Sequence, residues 1–271
     1  MTTPATGAHE ICVEIGSHPV LLRTPDHTYR ERLANRYAGF LTDGSHADLK
    51  FDIDLVAPLD DMGDDDVEIE VEARSGIWRM RRSDFRAEWD CRAGRGYIRQ
   101  APTPYSTDSI LRIVHTLLLA GEGGFLLHAA SCIRNGRALL FSGVSGAGKT
   151  TISRLAPEDT TLLSDEISYI RRDGTAYRAF GTPFFGELAR PGDNCSAPLG
   201  TLFFLEKGFE NKIEAIPKSE ALRKLLRNIL FFAEDPDLVK VIFRSAWEFV
   251  ERVSVRRLTF FPDERVWSVI R

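Results

Sequence analysis

The chain has 271 residues, of which 43% are hydrophobic and 27% charged, as expected for a globular protein with one large or two smaller domains. Its formal net charge of -4 gives no general attraction to nucleic acid or to an anionic membrane, so we expect neither as a partner. No apolar run approaches the roughly 20 residues of a membrane span, the N-terminus lacks a secretory pattern, and the four cysteines form no C-x-x-C pair, which together indicate a cytoplasmic protein.

The first part of the chain predicts a flexible tail over residues 1–10 and then a small α+β module. Leu33, Tyr37 and Phe40 recur at helical spacing, and elsewhere apolar and polar residues alternate as in half-buried strands. An acidic stretch at 60–66 lacks the spacing of a calcium loop, which favours a solvated turn. These patterns give a helix over 29–40 and strands over 10–15, 47–56, 67–72, 77–81 and 85–91.

A longer helix over residues 107–119 closes the module. Ser106 or Thr107 is its expected N-cap, and glycines at 121–124 are expected to end it. Beyond 125 the pattern changes to strands and loops, so we expect a module over 11–120 and a second domain over 121–271. The apolar face of the helix is expected to contain Ile110, Leu111, Val114 and Leu118.

The most informative stretch follows a short apolar run at 138–141. Gly143, Gly148, Lys149 and Thr150 complete G-x-x-x-x-G-K-[ST], a loop whose backbone N–H groups surround phosphates. Lys149 is expected to bring positive charge to the outer phosphates, and the Thr150 hydroxyl to ligate Mg²⁺. The order strand, loop, helix fits the motif and predicts a nucleotide site. The nucleotide-binding residues are Gly143, Val144, Ser145, Gly146, Ala147, Gly148, Lys149, Thr150 and Thr151.

A histidine and two carboxylates flank this loop. Asn135-Gly136 is a strong turn signal that predicts a hairpin of 125–132 with 138–142 and carries His128 toward the sheet edge; a histidine bonded within the core is the alternative. An apolar strand runs into Asp165-Glu166. A carboxylate there could ligate Mg²⁺, accept a proton from an attacking hydroxyl, or simply be solvated.

The segment 180–192 is rich in glycine, proline and aromatic residues that look exposed, which indicates a shaped loop. Glu187 and Arg190 within it are candidate substrate contacts, although a purely structural loop fits the pattern equally well. After it, we expect a buried strand at 202–205, helices over 219–232 and 235–253, and a final strand. Arg256-Arg257 at its start suits a solvated strand edge better than a phosphate contact.

Together these features resemble the HPr kinase/phosphorylase family, whose catalytic domain shares its nucleotide-binding design with phosphoenolpyruvate carboxykinase. The chain also resembles HPr-kinase-related proteins found beside bacterial peptide-modification genes, some of which phosphorylate the terminal serine of a lasso-type peptide. The likeness covers 125–205, from His128 through the phosphate loop to Asp165-Glu166. It implies an α/β fold with a P-loop core of this type, preceded by the α+β module.

The resemblance further implies ATP, Mg²⁺ and phosphorylation of a serine hydroxyl in a peptide or protein. Asp165 is then the general base assisted by His128, and Lys149 and Thr150 take the phosphate and metal roles. Beside this resemblance, the position of the acidic pair makes Glu166, and Asp165 as a second carboxylate, expected ligands of Mg²⁺. HPr kinases form hexamers, which implies a homo-oligomer. The chain lacks two family signatures and has Asp165-Glu166 where two aspartates are usual, so HPr itself and the reverse phosphorolysis are not expected.

The sequence therefore predicts a kinase that transfers the γ-phosphoryl group of ATP to a hydroxyl. Two alternatives remain open. One is a non-catalytic nucleotide-binding module that recruits a peptide to partner enzymes. The other is an ATP-hydrolysing switch, which is disfavoured because no water-orienting glutamine or arginine finger can be picked out.

Overall fold

The structure, a computed structural model, describes residues 8–57 and 69–270. It is a mixed α/β protein with two eight-stranded sheets. The chain divides into two compact units, one comprising the described residues up to Val114 with Phe232–Pro236, the other comprising His115–Phe231 and the chain from Asp237 onward. The acidic stretch 60–66 and most of the expected tail, residues 1–7, lie outside the described residues.

The first unit is built on strands β1 His9–Ile15, β2 His18–Thr24, β3 Leu41–Thr42, β4 Leu49–Leu55, β5 Glu70–Arg74, β6 Ile77–Arg82, β7 Phe85–Asp90 and β8 Arg95–Gln100. Their order in the sheet is β3-β1-β2-β4-β8-β7-β6-β5. The five expected strands are present within three residues of their bounds where described, but β2, β3 and β8 are additional. The helix expected at 29–40 is α1 His27–Arg36 followed by a 3₁₀ turn at Ala38–Phe40.

The long helix α2 spans Pro104–Gly121, so it begins three residues before the expected start and the predicted N-cap is wrong. Ser106 instead donates its hydroxyl to Asp84 at 2.5 Å, and Thr107 donates to Gln100 at 3.1 Å, which ties the helix to the neighbouring strands. Leu118 of the expected apolar face is only half-buried, whereas Leu119 is fully buried.

The second unit contains strands β9 Phe125–Arg134, β10 Arg137–Ser142, β11 Thr161–Ser164, β12 Ile167–Asp173, β13 Ala176–Phe180, β14 Ser196–Lys207, β15 Lys212–Ala215 and β16 Ser254–Phe260. Its helices are α3 Lys149–Arg154, α4 Lys218–Leu226, α5 Pro236–Arg252 and α6 Val266–Val269. The sheet order is β10-β9-β12-β13-β14-β16-β15, with β11 also on β9 and a parallel pairing of β10 with β14.

Strand β9 is the centre of this arrangement. The Asn135-Gly136 hairpin is confirmed, with φ of 50° and 72° at the two turn residues as a type I′ turn requires. Strand β10 pairs with Ala129–Arg134 on one side of β9. On the other side β12 pairs up to His128, and β11 pairs with Ser131–Ile133. His128 is therefore inside the sheet and not at its edge.

Successive residues along the strands of this sheet point to its two opposite faces, and an apolar core lies on each face. One face packs Leu127, Leu140 and Phe204 against α4 and α5, and the other packs Phe141 and Phe203 against α3 and α6. Most of the expected inward face of α5 is buried, but Leu238 is only half-buried and Val241 is 41% exposed. The helix expected at 219–232 ends already at Leu226.

The final strand does not form a sheet edge, because β16 lies between β14 and β15. Arg256 is exposed, whereas Arg257 forms ion pairs with Glu206 at 3.1 Å and Glu220 at 2.8 Å. The solvated-edge interpretation of this arginine pair is therefore wrong for Arg257. Among the described residues, no helix combines the length and apolar character that crossing a membrane would take.

Candidate functional site

The phosphate loop leaves β10 after Ser142 and enters α3 at Lys149, giving the expected order of strand, loop and helix. Gly148, the N-cap of α3, has a φ of 109°, and a Cβ there would lie 2.5 Å from the ring of Phe260. Only glycine fits this close approach at this backbone conformation without displacing the ring. The loop is thus held against the core by a residue that has no side chain.

Lys149 is buried at the base of the loop. Its Nζ donates to the carbonyl oxygens of Gly143 at 3.2 Å and Val144 at 3.5 Å. Burial lowers the pKa of Lys149, while the negative charges of Glu166 and Glu187 oppose that shift. The ammonium group is therefore positioned inside the loop, with two carboxylates near enough to influence its charge.

His128 lies between the phosphate loop and the acidic pair. Its backbone carbonyl accepts from the Ser142 hydroxyl at 2.9 Å, and its N–H donates to Asn228 at 2.7 Å. Burial, and then the positive charge of Lys149, lower the pKa of His128 below its ordinary value. Both effects favour the neutral form of the imidazole.

Asp165 falls in the break between β11 and β12 and is 3% exposed. Its two carboxylate oxygens accept backbone N–H groups from a distant loop, one from Gly186 at 3.0 Å and one from Leu188 at 2.9 Å. A carboxylate has about four acceptor positions, so these two bonds leave others available. The sequence motifs do not reveal this contact, because both donors are main-chain groups 21 and 23 residues away.

The loop that reaches Asp165 is anchored at both of its ends. The Thr182 N–H donates to Leu163 of β11 and the Asp193 N–H to Leu162, at 3.0 and 2.8 Å. Phe184 is fully buried, so the expectation of exposed aromatics is wrong for this residue. Gly186 packs on Glu166, since a Cβ there would lie 3.2 Å from the Glu166 Cβ. The segment is a shaped loop, as expected, fixed against the acidic pair.

These elements enclose one cavity of about 250 Å³. It brings together most of the residues singled out in the sequence, and Gly186, which sequence reasoning missed. Arg190 is not among its lining residues and faces a neighbouring cavity instead. The lining residues are His128, Ser145, Gly146, Gly148, Lys149, Thr150, Thr151, Asp165, Glu166, Gly186 and Glu187.

The donor set in this cavity fits Mg²⁺ bound together with a nucleotide. No group of three or more His, Cys, Asp or Glu side chains within 8–57 and 69–270 is arranged as a metal cage. Mg²⁺ is usually held by one or two protein oxygens, phosphate oxygens and waters, so a cage is not required. The Thr150 hydroxyl and the Glu166 carboxylate, both lining the cavity, are oxygen donors of the required kind.

Comparison with known proteins gives one family. Residues 106–267, more than half of the chain, match the family model described as SynChlorMet cassette protein ScmC. No curated protein matches. A solved HPr(Ser) kinase/phosphatase from Coxiella burnetii is similar over 44% of this chain and 88% of its own, with 13% identity and a TM-score of 0.24, which is too low to carry an argument. The extent of the family match shows that this chain belongs to the ScmC family of SynChlorMet cassette proteins.

Proposed function

We propose that this protein is an ATP- and Mg²⁺-dependent kinase that transfers the γ-phosphoryl group to a hydroxyl, a serine side chain, of a peptide or protein. The observation that carries the proposal is the single cavity lined by the phosphate loop, His128, Asp165 and Glu166. Nucleotide binding alone requires neither a buried carboxylate nor a histidine beside the loop. Their convergence on the phosphate site supports group transfer.

Lys149 is proposed to neutralise the negative charge on the transferred phosphoryl group. Such charge neutralisation is the main contribution of a protein to catalysis of phosphoryl transfer. Its burial strengthens that interaction, because water screens it less. Bound Mg²⁺ would supply charge neutralisation of the β- and γ-phosphates. Thr150 and Glu166 are the residues proposed to hold it, and Glu187 adds a further carboxylate at the rim.

Asp165 is proposed as the general base that accepts the proton of the acceptor hydroxyl. The Gly186 and Leu188 amides fix the orientation of its carboxylate, leaving further lone pairs for the hydroxyl. The hydrogen bonds of Asp165 do not include His128. We assign His128, which lines the same cavity, to positioning the acceptor or the phosphate.

The test is transfer of label from γ-labelled ATP to candidate peptides, with ATP binding measured separately by a fluorescent analogue. Asp165→Asn is expected to bind ATP normally and to transfer about 10²–10⁴-fold more slowly, the usual contribution of a general base. Asp173→Asn, an exposed aspartate at the end of β12, is the matched control and should be unaffected.

Full transfer by Asp165→Asn would contradict the base assignment. Label appearing as free phosphate with every peptide would instead favour the ATP-hydrolysing switch. ATP binding without release of label in any form would favour the binding module, so the assay separates the three functions.

A further inference from the structure

A second and larger cavity, about 410 Å³, lies beside the phosphate site in the same unit. Phe141 and Trp267 line it, with ring centroids 5.6 Å apart, and Leu162 and Leu188 extend the apolar wall. No step in the proposed phosphoryl transfer uses this space. Its volume exceeds that of any single amino-acid side chain, so it can admit a residue of a bound peptide together with part of its backbone.

The wall of this cavity contains polar atoms that the protein itself does not satisfy. Ser131 Oγ, Thr160 Oγ1 and Trp267 Nε1 are buried and have no hydrogen-bond partner among the described residues. Ser131 and Trp267 are 1% and 4% exposed. These three atoms have almost no accessible surface, so they make the wall polar but do not themselves reach a bound group, whose chemistry is indicated by the charged residues of the cavity.

The charge at the cavity is positive. Arg154 and Arg190 line it, both are exposed, and neither has an ion-pair partner in the part of the chain that the structure describes. Glu158 is the one carboxylate among the described lining residues. Burial raises the pKa of the Cys132 thiol to about 12, so it contributes no negative charge. Guanidinium groups bind carboxylates through paired, charge-assisted hydrogen bonds.

The cavity adjoins the acceptor side of the phosphate site. Leu188 donates its N–H to Asp165 and also lines the cavity. Ser131 is the register partner of Ser164, the residue before Asp165. A group bound in the cavity is therefore only a few residues of extended peptide away from a hydroxyl at Asp165.

We propose that this cavity binds a carboxylate of the acceptor peptide, held by Arg154 and Arg190 within a few residues of the hydroxyl that is phosphorylated. This rests on the proposed kinase function for the role of the hydroxyl, whereas the carboxylate site itself does not depend on transfer. The carboxylate can come from an acidic side chain or from the C-terminus of the peptide.

The test uses the full chain and capped, fluorescein-labelled peptides of glycine and alanine with one serine and one glutamate at varied spacing. Each has a matched peptide with glutamine in place of glutamate, and a third set carries a free C-terminus. Affinity is measured by fluorescence anisotropy with a non-hydrolysable ATP analogue present. The variants are Arg190→Gln, the double variant Arg154→Gln/Arg190→Gln, and Arg223→Gln, an exposed arginine on α4, as control.

We expect wild type and Arg223→Gln to prefer glutamate, or the free C-terminus, by about tenfold at the best spacing. The preference should fall below about threefold in Arg190→Gln and vanish in the double variant. Equal affinity for glutamate and glutamine peptides, together with no gain from a free C-terminus, overturns the proposal. So does a preference that survives in the double variant.

Two further readouts separate the carboxylate site from a nucleotide site in the same cavity and from the proposed kinase function. Weaker binding of labelled ATP by the arginine variants would place the nucleotide in the cavity and overturn the peptide assignment. Carboxylate preference without transfer of label would contradict the kinase function and leave the carboxylate site standing. Transfer of label without any carboxylate preference would contradict the cavity assignment alone.

Discussion

Gly148 shows how a single residue joins the phosphate loop to the core of its unit. Its φ of 109° lies in the region that L-residues with a side chain avoid, and Phe260 of β16 fills the place of a Cβ. Gly146 also has a positive φ, 74°, but a Cβ there would meet nothing within 4 Å. The two glycines therefore separate the cost of the backbone conformation from the cost of a clash.

Gly148→Ala is expected to lower the free energy of unfolding by about 2–5 kcal/mol, because about 1–2 kcal/mol of backbone strain adds to about 1–3 kcal/mol of overpacking against Phe260. Gly146→Ala should cost only the strain, about 1–2 kcal/mol. Urea unfolding measures both. Equal losses in the two variants would show that the contact with Phe260 is not important.

The motif spacing was sufficient to predict the order of strand β10, loop and helix α3, since that order depends on residues that are neighbours in the chain. The hydrogen bonds from Gly186 and Leu188 to Asp165 were not predictable from the sequence. Their donors are main-chain N–H groups, and only the path of the folded loop brings them to the carboxylate. For the same reason, Arg190 could be recognised as a candidate contact but not assigned to the second cavity.

At the scale of elements, α5 carries two different apolar faces. Phe249 is fully buried, with its ring centroid 5.3 Å from that of Phe125 and 5.0 Å from that of Tyr177. Phe243 lies on a different side of the helix and is 49% exposed. Helical periodicity predicted the helix and most of its inward face. It could not exclude Val241, because an apolar residue on the second face looks the same in sequence.

Phe249→Ala should destabilise the protein by about 3–5 kcal/mol, as removal of a buried aromatic ring leaves a cavity in the core. Phe243→Ala on the same helix should cost about 1 kcal/mol or less, since half of its surface is already in water. Chemical denaturation of the two variants checks this. A larger loss for Phe243→Ala would indicate that its face is covered.

The unpredicted strands β2 and β8 show a second limit of prediction from the sequence. The hairpin of β9 and β10 was predictable because Asn135-Gly136 specifies its turn. Strand β2 follows an equally short turn at Gly16-Ser17, where both residues have positive φ, but Gly-Ser is a weaker pattern. Strand β8 contains Gly96 between charged and aromatic residues, so its alternation is interrupted.

At the scale of the whole molecule, nucleotide binding should increase the stability of the folded protein. A ligand that binds only the folded state at one hundred times its Kd adds about 2.7 kcal/mol. ATP with Mg²⁺ should therefore raise the Tm of the wild-type protein by several degrees. Lys149→Ala should show almost no increase above its own Tm, since it lacks the charge that faces the phosphates.

Differential scanning fluorimetry measures both shifts, and Arg223→Gln should respond as the wild type does. Adding a chelator should reduce the wild-type shift if Mg²⁺ is bound with the nucleotide. An undiminished shift in Lys149→Ala would mean that the nucleotide is held elsewhere, which would contradict the assignment of the phosphate site.

The two compact units are not two continuous stretches of the chain. Phe232–Pro236 belongs with the first unit although the chain on both sides of it belongs with the second. Five residues are too few to differ recognisably in composition from the chain on either side, so the sequence does not indicate which unit they join.

Leu188 limits how the phosphate site and the larger cavity can change during evolution. Its main chain serves the buried carboxylate, while its side chain forms part of the wall of the larger cavity. A lineage that reshaped that wall by shifting the backbone here would disturb Asp165 at the same time. Variation in what the larger cavity accepts is therefore expected to arise by exchanging side chains on a fixed backbone, and not by insertions or deletions in this loop.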